Sequence, residues 1–176
     1  MRAVVTHLEI RAPFPLRACE AAEDLPVGMQ LDHILAPDID EYRRVYDLIG
    51  SDWYWVNRKQ MSDRQLQDII CDPRTEVYYL RFGDRVIGFL ELNLRAMPAA
   101  EIVFIGLEKT YIGAGLGITL LRTALEKIRA KQAATIRIQT CTLDHPRAIL
   151  LYQSHGFTPT SRQNVLLRDG RFEVVA

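Results

Sequence analysis

Residues Thr110–Leu121, TYIGAGLGITLL, set three glycines in five positions and then pass into an apolar helical pattern. The stretch before them, AEIVFIGL, reads as a strand. The stretch after them alternates as an amphipathic helix to about Lys131, with Leu121, Ala124, Leu125 and Ile128 inward and Arg122, Glu126, Lys127 and Arg129 outward. A chain with this unit must fold as strand, glycine loop and helix. The glycines either supply positive φ for a turn or form a cradle for a phosphate. Two details favour the cradle. From Thr110 to Ile118 there is no Asp, Glu, Ser or Asn to cap the helix, and its first carboxylate is Glu126, far from the start. The opening N–H groups therefore lack an internal acceptor at the positive end of the helix dipole. Glycines also let a ligand approach the backbone, so several N–H groups can converge on one anion. The spacing excludes two phosphate sites. No Gly-Lys-Ser/Thr is present for a P-loop. A dinucleotide fold wants G-x-G-x-x-G and an acid after the next strand, where this chain has G-x-G-x-G and Gln139.

Around this unit the elements follow from periodicity and turn residues. Val4–Ile10 and Met29–Leu35 read as strands, separated by a Pro-, Ala- and acid-rich segment, Pro13–Gly28, that reads as irregular. PDIDEYRRVYDLIG starts at an Asp, spaces Ile39, Tyr42, Val45, Tyr46 and Ile49 at helical intervals, and stops at Gly50. Ser62 caps a second helix to Cys71. EVYYLRFGDRVIGFLELNL makes two strands about Gly83-Asp84, and a third follows Pro98. TIRIQTCTL is a strand, HPRAILLYQSHG a short helix, and NVLLRDGRFEVV a hairpin about Asp169-Gly170. The order ββααβββαβαββ predicts an α/β fold with a mixed sheet. Residues 1–176 read as one domain, with 1–28 an N-terminal strand and irregular extension.

At 176 residues the chain can bury a full core. Its 22 basic and 22 acidic residues balance, which disfavours nucleic acid as a partner. No apolar run is long enough to span a bilayer, and the first residues read as a strand rather than a signal peptide. Three scattered cysteines without metal-ligand spacing predict reduced thiols in a cytoplasmic protein and no metal site.

EIVFIGLEKTYIGAGLGITLL resembles the central block of the GNAT superfamily of acetyl-CoA-dependent N-acetyltransferases. There a strand runs into Gln/Arg-x-x-Gly-x-Gly/Ala and a helix; Gly115 and Gly117 match, and Ile112 replaces the usual Gln or Arg. DHPRAILLYQSHGF resembles the later Asn-x-x-Ala-x-x-x-Tyr-x-x-x-Gly-Phe block, with Ala148, Tyr152, Gly156 and Phe157 in place and His145 at the Asn position. The element order matches over residues 29–176. The resemblance implies a mostly antiparallel sheet flanked by about four helices, and transfer of an acetyl group from acetyl-CoA to a primary amine of a small molecule or peptide. It also allows a homodimer.

Further roles follow from the resemblance. The loop Ile112, Gly113, Ala114, Gly115, Leu116 and Gly117 would hold the pyrophosphate. Ile105 and Leu107 would pair with the pantetheine arm, with an oxyanion-binding N–H near Ile105; His145 would touch that arm. Gly106 reads either as a point of close backbone approach or as a β-bulge. Tyr152 reads on spacing alone as a core residue, and by the resemblance as the general acid for the leaving thiolate. Glu101, which opens an apolar strand, is a candidate base, at the spacing from the glycine loop found in histone-acetylating members; the alternative is an exposed strand end. Glu91 is the alternate base or an acceptor anchor, and water a third option. Trp53, Trp55 and Arg58, in SDWYWVNR, fall where the family walls its acceptor site; the alternative is aromatic core filling. Because Ile112 and His145 depart from the pattern, a non-catalytic acyl-CoA sensor is the competing function, and a peptide-binding scaffold the third.

Overall fold

Helix ends show how the sequence spends its capping residues. The computed structural model describes residues 1–175. Helix α2 (Ile39–Gly50) is capped by Asp38, whose Oδ1 accepts from Glu41 N–H at 2.9 Å, and carries Asp40 and Glu41 in its first turn. Helix α3 (Asp63–Ile70) has a capping box in which Ser62 and Gln65 exchange bonds. Helix α4 (Leu116–Ala130) has neither a side-chain cap nor an acid in its first turn.

One eight-stranded sheet runs through the fold in the order β2-β3-β4-β5-β6-β1-β7-β8. Its strands are β1 (Arg2–Arg11), β2 (Met29–His33), β3 (Thr75–Phe82), β4 (Arg85–Asn93), β5 (Ala99–Leu107), β6 (Thr135–Cys141), β7 (Thr158–Arg168) and β8 (Arg171–Val174). Only β5 and β6 pair in parallel; every other neighbour is antiparallel. The α/β class and the mixed, mostly antiparallel sheet are as the sequence predicts. Two elements differ. A single helical turn, α1 (Leu16–Cys19), lies inside the segment expected to be irregular. Strand β7 begins at Thr158, well before the expected hairpin, because its first half pairs along β1.

Two apolar layers sandwich the sheet. On one face α4 sets Leu121, Ala124, Leu125 and Ile128 against Leu8, Ile10, Leu90, Ile102 and Ile136. On the other, α2 and α3 set Tyr42, Tyr46, Ile49 and Leu66 against Val77, Tyr79 and Phe89. The N-terminal segment is strapped along α4: Glu126 Oε1 accepts from Ala22 N–H at 2.7 Å, Arg122 pairs with Glu20, and Ala18 is fully buried. Helix α5 (Ala148–Ser154) closes the α4 side near the glycine loop.

Candidate active site

The site begins where the sheet fails to close. Strands β5 and β6 pair only from Ala99 to Ile102 on β5 and from Thr135 to Ile138 on β6. On its other edge β5 carries a bulge: Glu91 opposes Phe104 and Leu92 opposes Ile102, so Val103 is the extra residue. A bulge bends its strand, and from Val103 to Leu107 the edge of β5 that faces β6 has no strand partner. The gap opens into a cavity of about 870 Å³, the size of an ordinary cofactor site.

This cavity crosses the sheet. Alternation along β1 places Leu8 and Ile10 under α4, and Val5 and His7 on the opposite face. Lining residues come from both faces: Ile112, Gly113, Gly115, Gly117, Ala148 and Leu151 on the α4 side, and Val5, Val165, Val174, Trp53 and Trp55 on the other. Ile105 and Leu107 line the passage between them.

At its α4 end lies the glycine loop. Gly113 and Gly115 hold φ of +97° and +83°, so both need glycine for conformation alone. A Cβ at either would meet nothing within 4 Å, so the loop faces open space. The N–H groups of Gly113, Ala114 and Gly115 donate to no acceptor among the described residues, and Leu116 and Gly117 open the helix with no preceding turn to receive theirs. The same turn that requires positive φ therefore leaves these amides without a partner among the described residues. Ala114 and Leu116 contribute backbone only: Ala114 is exposed away from the cavity, and the Leu116 side chain is buried in the core.

Tyr152 projects from α5 into the same cavity. It is 6% exposed and packs at 6.2 Å against Phe157. Burial, and then the nearby Asp144 carboxylate, raise its pKa, so the phenol keeps its proton at any physiological pH. His145 also lines the cavity and meets Trp53 edge-on at 5.3 Å.

The far wall is the segment after α2. A 3-10 turn (Ser51–Trp53) ends on Tyr54 in the left-handed region, φ 56°, which turns Trp55 inward. Trp55 lies 4.9 Å from Phe104 and 5.6 Å from Tyr46, over Gly50 and Gly106. Gly106 is not the bulge: it pairs regularly with Phe89 and lines the cavity, and a Cβ there would stand 2.7 Å from Ile49 Cγ2 and 3.1 Å from Trp55 Cη2. Gly106→Val is expected to destabilise the fold by about 1–3 kcal/mol through overpacking, read as a lower midpoint in urea.

Asp144 is a functional candidate that sequence reasoning missed. Its Oδ2 accepts from Thr140 Oγ1 at 2.8 Å and from Cys141 N–H at 2.7 Å, and Trp55 lines the same cavity. Burial raises its pKa above the ordinary value, with the bonds from Cys141 and Thr140 pulling back. Within DHPRA it looks like a loop acid before a helix; no periodicity marks it.

The acetyltransferase (GNAT) family model matches residues 42–157, a span that holds the glycine loop, the β5–β6 gap and Tyr152. The chain belongs to the GNAT family. Among relatives of this GNAT chain, mycothiol acetyltransferase of Corynebacterium glutamicum is 32% identical over 112 residues, 61% of this chain and 37% of that protein. The protein of the same name from Corynebacterium efficiens is 32% identical over 91 residues, 52% of this chain and 30% of its own length. The chain thus spans about a third of the length of these relatives. The fold also matches a putative GNAT acetyltransferase from Novosphingobium aromaticivorans, with TM-score 0.63, 17% identity, and 93% of this chain and 63% of that chain covered. An aminoglycoside acetyltransferase from an uncultured soil metagenomic sample matches with TM-score 0.61 and 14% identity over 76% of this chain and 90% of that one.

Three expected site residues of the GNAT chain stand apart from the cavity. Glu101 lies on β5 before the gap and lines a separate cavity of about 300 Å³ with His7, Glu9 and Arg137; Asn93 Nδ2 donates to it at 3.4 Å. The alternation of β5 points it away from α4, and the strands are still paired there. Glu91 and Arg58 are bonded to each other, with side chains 1% and 9% exposed, and the Tyr42 hydroxyl donates to Glu91. Burial works against the Arg58 charge, but the adjacent carboxylate outweighs it and raises the guanidinium pKa. Neither side chain reaches the cavity, because each is spent on the other. Among the described residues no helix is long and apolar enough to cross a membrane, and no group of three or more His, Cys, Asp or Glu could hold a metal ion.

Proposed function

We propose that this protein is an N-acetyltransferase that moves the acetyl group of acetyl-CoA to the primary amine of a small-molecule or peptide acceptor. One observation carries the reading: an uncapped helix with free loop amides opens into the cavity that a buried tyrosine lines. Acetyl-CoA supplies an activated acyl group on a thioester. The N–H groups of Gly113, Ala114, Gly115, Leu116 and Gly117 suit its pyrophosphate, since none of the described residues competes for them. The unpaired edge of β5 at Ile105 and Leu107 offers peptide groups to an extended arm, and His145 flanks it. Tyr152 holds a proton to donate to the departing thiolate. Trp53 and Trp55 wall the acceptor side. Arg58 and Glu91 act behind that wall, clamping the segment that carries the tryptophans. Glu101 is not among the groups that reach the reacting atoms in this reading.

Thermal unfolding with and without acetyl-CoA tests it. At one hundred times its dissociation constant the ligand should stabilise the fold by about 2.7 kcal/mol, a rise in Tm of roughly 5–10 °C for a chain of this length. Thiol release across a panel of amines should accompany it. No shift in Tm overturns the cofactor assignment. A shift with no thiol release from any amine favours an acyl-CoA-binding module instead.

A further inference from the structure

Asp144 is the one Asp or Glu among the described residues that line the larger cavity. It sits between both faces of the sheet. Thr140, whose position in β6 alternates onto the α4 face, holds it from one side, and Trp55, packed against the α2 face, lines the same cavity on the other. Both measured hydrogen bonds, from Thr140 and Cys141, end on Oδ2, which leaves lone pairs on Oδ1. Tyr152 lies near enough to feel its charge. The other titratable groups around it are Cys141, His145 and Arg147.

Beyond Asp144, the α2-face end of the cavity is built from Val5, Val165, Phe172, Val174 and Trp53. Its polar members there, Asn57, Gln139 and Gln163, are uncharged amides, with His7 at the rim. A polycation would bring several charges to a site holding one carboxylate, and each unpaired charge would be desolvated at a cost. An apolar body with a single amine loses nothing there and gains burial.

We propose that Asp144, in the gap between β5 and β6, accepts the proton of the incoming amine, and that the acceptor is a monoamine on an uncharged, apolar body. This deepens the acetyl-transfer reading and rests on it. One ammonium N–H bond breaks and an O–H bond forms at Asp144 Oδ1. The freed nitrogen lone pair forms the new C–N bond as the C–S bond breaks. The sulfur takes the Tyr152 proton, and the nitrogen of the new amide returns a proton to the Tyr152 phenolate oxygen. Asp144 then releases its proton to water, so the sum is ammonium plus thioester giving amide, thiol and one proton.

The test follows thiol release with acetyl-CoA and three acceptors: phenethylamine, O-benzylhydroxylamine and spermidine. Wild-type protein should favour phenethylamine over spermidine by at least about tenfold in kcat/KM. Asp144→Asn should lower kcat/KM for phenethylamine about 100-fold. For O-benzylhydroxylamine, whose nitrogen is unprotonated at neutral pH, the loss should stay under about fivefold, since no base is then needed. A merely structural residue would lower both equally. The rise in Tm with acetyl-CoA should persist in the variant, because Asp144 serves the acceptor and not the donor. Should Asp144→Asn unfold below the assay temperature, Asp144→Ser repeats the comparison, and the wild-type acceptor ranking needs no variant. Equal losses for the two aromatic acceptors, or no loss, overturn the proton-acceptor role; a preference for spermidine overturns the acceptor class. Failure of every amine with wild-type protein sinks the transfer reading itself, a separate result.

Discussion

Tyr152→Phe should lower turnover at saturating acetyl-CoA and acceptor by about 1,000-fold, within the usual range for a positioned general acid, or roughly 4 kcal/mol of transition-state stabilisation. The fold should hardly notice. Only burial and the Asp144 charge act on the Tyr152 hydroxyl, so its removal orphans no partner, and the ring keeps its contact with Phe157. Stability should therefore stay within about 0.5 kcal/mol of wild type, and the rise in Tm with acetyl-CoA should be retained. Loss of turnover without loss of binding or stability separates a proton donor from a packing residue. A change in turnover of less than about threefold would remove the acid role.

The second large effect lies behind the cavity. Glu91→Ala leaves the Arg58 guanidinium buried without its carboxylate and strips the Tyr42 hydroxyl of its acceptor. Breaking a buried pair from one side costs roughly 3–5 kcal/mol, because the remaining charge is uncompensated. Urea unfolding should show this as a much lower midpoint. Removing both charges together, as in Arg58→Leu with Glu91→Leu, should recover most of the stability, since the desolvation of both ions disappears as well. Arg58 also follows directly on the Trp53–Asn57 wall, so the single variant should raise KM for the acceptor more than for acetyl-CoA. If the single variant unfolds within about 1 kcal/mol of wild type, the pair is not buried as described.

These two predictions rest on residues that the sequence treats very differently. Tyr152 belongs to a short pattern of fixed spacing, with Ala148, Gly156 and Phe157, which is legible within one stretch of chain even though its place beside the glycine loop is not. Glu91 and Arg58 are 33 residues apart and on different elements. Each alone offers several partners, and nothing local shows that they choose each other. Glu101 marks the same limit. Its place at the head of an apolar strand is legible, but which side of β5 faces the cavity depends on the bulge at Val103 and on how far β6 pairs. Asp144 was hidden for the opposite reason. It lies in a turn, where polar residues are ordinary, and it gains meaning only from the cavity that opens where β5 and β6 part.

What the amino-acid sequence determined by itself was everything carried by short-range order: strand and helix periods, the glycine loop with its positive φ angles, and the lack of any acid to cap α4. Those are properties of a few consecutive residues, fixed by sterics and by backbone groups that must find partners. Tertiary structure alone decided where the sheet parts, which carboxylate stands in the opening and which is locked behind it. Strand register and side-chain pairing across the core are set by packing the whole chain at once, and a one-residue bulge is enough to redirect which face a side chain serves.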